Sequence, residues 1–103
     1  MAQFDVFVNP VPAARATFPF VVAMQSNFAA ILKEQIVAPV AARSGLACGG
    51  RLTPKVAIQG VEHIVFVPRM IVMPSRDLTT NVCSILPARS ELLAAIDLLF
   101  FGV

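Results

Sequence analysis

A mainly β domain of about five antiparallel strands closed by one C-terminal α-helix is the fold class this sequence predicts. Three observations predict it. Apolar residues alternate with a period of two near the start, at Phe4, Val6 and Val8. Short runs of β-forming residues are cut repeatedly by proline, glycine or Asn/Ser clusters. After Ser90 the apolar spacing changes to that of a helix.

The elements follow in order. Gln3 to Val8 puts Phe4, Val6 and Val8 on one face and Gln3, Asp5 and Phe7 on the other, as a strand does. Asn9-Pro10-Val11-Pro12 ends it, because proline cannot donate to a ladder. Ala13 to Thr17 reads as a loop and Phe18 to Gln25 as a second strand. Gln25-Ser26-Asn27 is turn chemistry. Phe28 to Gln35 mixes helix formers into a short segment and reads as a loop or a single helical turn. Ile36 to Ala41 is a third strand, placed near an edge or bulge by Pro39. Ala42 to Arg51, with Ser44, Gly45, Gly49 and Gly50, reads as a mobile surface loop.

Pro54 to Gln59 and Val61 to Val67 form a hairpin with Gln59-Gly60 at its turn. Ile64 to Met73 continues as extended chain, interrupted by Pro68 and Pro74. Its near-continuous apolar character implies burial on both faces, or one face in the core and one at a partner. Pro74 to Leu78 turns. Ser90 can then cap a helix from Glu91. On that helix Leu92, Leu93, Ile96, Leu99, Phe100 and Val103 cover an arc of about 120°, the expected core face. An SH3-like barrel with an appended helix fits this order, as a single domain over residues 1–103.

Composition narrows the class. Apolar residues make up 57%, charged residues 14%, and the mean hydropathy is +0.79. Soluble domains average about 25% charged residues, and a small monomer cannot hide so much apolar surface. No run is long enough for a membrane span, since Pro68 and Arg69 cut one candidate and Asp97 cuts the other. No signal peptide is visible. A cytoplasmic protein that self-associates, as a homodimer, is expected. The net charge of +2 and the scattered Lys and Arg residues do not make a nucleic-acid platform. Cys48 and Cys83 have no metal-ligand spacing and read as free thiols.

Catalysis requires convergent groups, and few are offered. His63 follows Glu62 in a strand, so the two point to opposite faces; a surface or interface histidine is the plainer reading than a general base. Neither Cys48 nor Cys83 has local sequence supporting a pair with His63, and the carboxylates are dispersed. Gly49-Gly50 lacks the phosphate-loop pattern. No enzyme and no cofactor are expected. The tail differs. Phe101 lies about 180° from Leu92 on the helix, with Asp97 one turn before it. An exposed aromatic at a chain end is a candidate binding anchor.

Four segments, in order along the chain, resemble the CcdB family of toxins. The ending Ala95-Ile96-Asp97-Leu98-Leu99-Phe100-Phe101-Gly102-Val103 is similar to the family's A-I-N-L-M-F-W-G-I. Gln3-Phe4-Asp5-Val6-Phe7 resembles Q-F-K-V-Y, Val22-Ala23-Met24-Gln25-Ser26-Asn27 resembles V-D-V-Q-S-D, and Ile36-Val37-Ala38-Pro39-Val40-Ala41 resembles M-V-I-P-L-A. The resemblance implies an SH3-like homodimer that binds the DNA gyrase A subunit and traps gyrase on cleaved DNA. It also implies neutralisation by a partly disordered, CcdA-like antitoxin, with nucleic acid reached only indirectly. Carried over by position, it assigns gyrase binding to Phe101, Gly102 and Val103, to Phe100 and Asp97 before them, and to Phe28 and Ala29 after the second motif.

The departures are specific. Phe101 stands where the family has tryptophan, Asp97 where it has asparagine, and Ala29 where it has a larger residue. Two other readings follow: an endoribonuclease toxin of the MazF/Kid type, which shares the fold and would use Arg15, Arg76 and Asp77, and a non-toxic member that still binds antitoxin.

Overall fold

The computed structural model describes residues 2–26, 33–42 and 50–102. Seven strands and one α-helix are defined among them: β1 (Asp5–Val8), β2 (Phe20–Ala23), β3 (Glu34–Ala42), β4 (Lys55–Ile58), β5 (Val61–Val65), β6 (Ile71–Pro74), β7 (Asn81–Ser84) and α1 (Arg89–Phe101). All pairings are antiparallel, in the order β4-β5-β3-β2-β1-β7, with β6 also on β3. The fold class is the one the sequence predicts: a mainly β, curled sheet with a C-terminal helix.

The long strand β3 organises this curl. Its second half, Val40 to Ala42, faces Val65 to His63 of β5, while its first half, Glu34 to Val37, faces Pro74 to Ile71 of β6. Pro39 sits between the two halves of this central strand, not at an edge or bulge. The Pro39 carbonyl accepts the Phe66 N–H at 2.9 Å. In an extended residue nitrogen and carbonyl point to the same side, so the missing donor faces the gap where β5 gives way to β6. The proline therefore sacrifices no ladder bond.

The count of seven exceeds the expected five for two reasons. The extended run from Ile64, expected to be interrupted at Pro68, is broken there by a 3₁₀ turn over Val67–Arg69, which makes β5 and β6 separate strands. Strand β7 is short and polar, Asn-Val-Cys-Ser, and pairs with β1 through an irregular register, so it leaves no periodic signal. Strand β2 starts at Phe20 because Phe18 is held in a loop organised by buried Asn9. The Asn9 amide donates to the Phe18 carbonyl at 2.9 Å, and its Oδ1 accepts the Val11 N–H at 2.9 Å. Glu34 and Gln35, read as part of an ambiguous segment, open β3. Residues 28–32 of that segment, and residues 43–49 of the expected mobile loop, lie outside the described residues.

Alternation along the strands builds cores on both faces. Inside the curl, Phe4, Val6, Val22, Val40, Ile58 and Val65 pack with Leu92 and Ala95 of α1. On the outer face Phe7, Val21, Val37, Met73 and Leu78 form a second cluster. Phe4 has φ 68° and is fully buried. A left-handed residue costs about 1–2 kcal/mol, whereas fully burying a phenylalanine side chain contributes about 1.5–3 kcal/mol. Burial wins, and the conformation aligns the Phe4 N–H with the Ala23 carbonyl at 2.7 Å.

The hairpin turn is as the sequence predicts. Ile58 faces Val61, and Gln59 and Gly60 have φ of 53° and 79°. Positive φ at both positions is the type I′ turn that matches strand twist. Glutamine is poorly suited to it and asparagine well suited. Gln59→Asn is expected to stabilise the protein by about 0.5 kcal/mol, read from the urea unfolding midpoint at unchanged slope.

Candidate functional site: the C-terminal helix and its exposed end

Helix α1 begins at Arg89, directly after a 3₁₀ turn over Leu86–Ala88 that contains Pro87. Ala88, without a side-chain cap, precedes it, and Ser90 lies inside the helix. The expected Ser90 cap is therefore absent: the preceding turn already delivers the chain in helical geometry. At the other end Gly102 has φ 75°, and its N–H donates to the Leu98 carbonyl at 3.1 Å. This is the left-handed cap that glycine supplies at least cost.

Leu92 and Ala95 are fully buried, with Leu93, Ile96 and Leu99 packed partly against the same core. Phe100, expected on the core face, is 63% exposed, and Phe101 is 74% exposed. Angle alone does not separate Phe100 from Leu93, which lies about 100° from Leu92 and yet packs against the core; Phe100 belongs to the last turn of the helix. Asp97 is also exposed. By helical pitch it projects between the directions of Phe100 and Phe101. The last turn thus gathers Asp97, Phe100 and Phe101 on one solvent-facing side, and Gly102 ends it. Val103, Phe28 and Ala29 lie outside the described residues.

The groups considered for catalysis do not converge among the described residues. His63 is buried rather than at the surface, its Nδ1 2.8 Å from the Val61 carbonyl and its ring edge-on to Phe20 at 5.4 Å. Glu62 faces the other way, 4.0 Å from the exposed Lys55 amine, a pair worth little in water. Arg15 donates to the Asn9 carbonyl at 2.6 Å and so serves the loop. Arg76 and Asp77 are exposed within one turn. Burial, and secondarily the Asp5 carboxylate, push the Cys83 thiol above its ordinary value, which leaves it a poor nucleophile at neutral pH. Cys48 lies outside the described residues. No cluster of three potential metal ligands occurs among the described residues.

A second exposed apolar surface went unassigned to particular residues in the sequence. Ile36 and Val72 face each other across β3 and β6 and are substantially exposed, while Ile71, paired with Val37, is exposed on the opposite face. In the apolar run Ile64, Val65, Phe66 and Val67 are buried, so its first part is covered on both faces, whereas Ile71 and Val72 beyond the 3₁₀ turn are exposed. No helix of the described residues is long and apolar enough to cross a membrane.

The model of the CcdB protein family matches residues 3–102. The chain belongs to the CcdB family. Membership makes it the toxin of a toxin–antitoxin pair in general terms, and the match runs from β1 through the glycine that caps α1. No curated protein matches the chain.

Proposed function

We propose that this CcdB-family protein poisons DNA gyrase by binding its A subunit through the end of α1, and that it does so as a cytoplasmic homodimer neutralised by a CcdA-like antitoxin. The observation that carries this reading is the exposure of Phe100 and Phe101 on a helix whose Leu92, Leu93, Ala95, Ile96 and Leu99 pack against the core. A large aromatic left in water at the end of a rigid, capped helix contributes little to folding. It is well placed to fill a pocket on a partner, where aromatic anchors dominate binding energy. The reading is one of binding rather than catalysis, and membership of the CcdB family supports it. The exposed apolar pair Ile36 and Val72 supports self-association, because a second copy would cover it.

Direct binding tests the reading. The full chain is expected to form a complex with purified gyrase A subunit, and the chain lacking Phe101, Gly102 and Val103 is expected to lose it while keeping its circular dichroism spectrum. A truncated protein that binds gyrase undiminished would remove the tail from the mechanism. The ribonuclease reading gains from no grouping of Arg15, Arg76 and Asp77, and cleavage of RNA by the purified protein would be needed to restore it.

A further inference from the structure

We draw no further inference here: the strongest candidate, the cavity of about 480 Å³ between the 3₁₀ turn at Gly50–Leu52, the start of β4 and the first half of α1, is lined by exposed charges of both signs, Arg51, Lys55 and Glu91, and nothing in the structure shows what fills it.

Discussion

Phe101→Ala is expected to abolish growth arrest on expression while leaving the protein folded. The ring is 74% exposed, so its removal takes almost nothing from the core. Alanine is the better helix former by about 0.5 kcal/mol, so the melting temperature is expected to hold or rise slightly. Binding is another matter. Truncating an aromatic anchor at the centre of an interface typically costs 2 kcal/mol or more, about 30-fold in affinity. Phe101→Trp is the complementary change. It adds contact area and an N–H donor at the position where the family resemblance has tryptophan, so toxicity is expected to increase. Growth curves and a thermal melt on the same variants check both halves. Full toxicity in Phe101→Ala would mean that the exposed end of α1 is not the anchor.

Leu92→Ala is expected to act the opposite way, through the fold. Leu92 is fully buried where α1 meets Phe4, Val6, Val40 and Val65 of the inner cluster. Deleting its branched end leaves a cavity that a two-sided sheet cannot easily close, at about 3–5 kcal/mol. That is a fifth or more of the roughly 5–15 kcal/mol available to a domain of this size. A drop of about 12 °C or more in melting temperature is expected. Loss of toxicity should follow, but as a loss of native protein measurable by calorimetry, and antitoxin binding should fall with it. Phe101→Ala keeps the fold and loses the target, whereas Leu92→Ala loses both, and the pair separates anchor from scaffold.

Much of this architecture was legible because two-residue and helical periodicities survive wherever burial decides the side chain. The alternation at Phe4, Val6 and Phe7 placed residues in the inner and outer clusters that the folded protein shows. Gln59-Gly60 announced its turn through backbone chemistry alone. The failures have equally local causes. Pro39 argues for an edge only if its missing donor would have had a strand opposite it, and the change of partner from β5 to β6 removes that condition. Strand β7 is held by its pairing with β1, a long-range contact that leaves no mark on a four-residue polar segment.

At the site, Phe101 was legible from helical spacing, and Phe100 was not. Leu93 and Phe100 lie at similar angles from Leu92, so helical spacing alone does not tell the packed residue from the exposed one. The exposed pair Ile36 and Val72 carried no signal that distinguishes solvent from core, because a strand's hydrophobicity alone does not say what covers it.

The most direct measurement is DNA cleavage by purified gyrase on supercoiled plasmid in the presence of this protein, with and without Phe101, Gly102 and Val103. The account predicts that linear DNA accumulates with the intact protein and not with the truncated one. Linear DNA formed equally by the truncated protein, or none formed by the intact protein with gyrase from its own host, would contradict it.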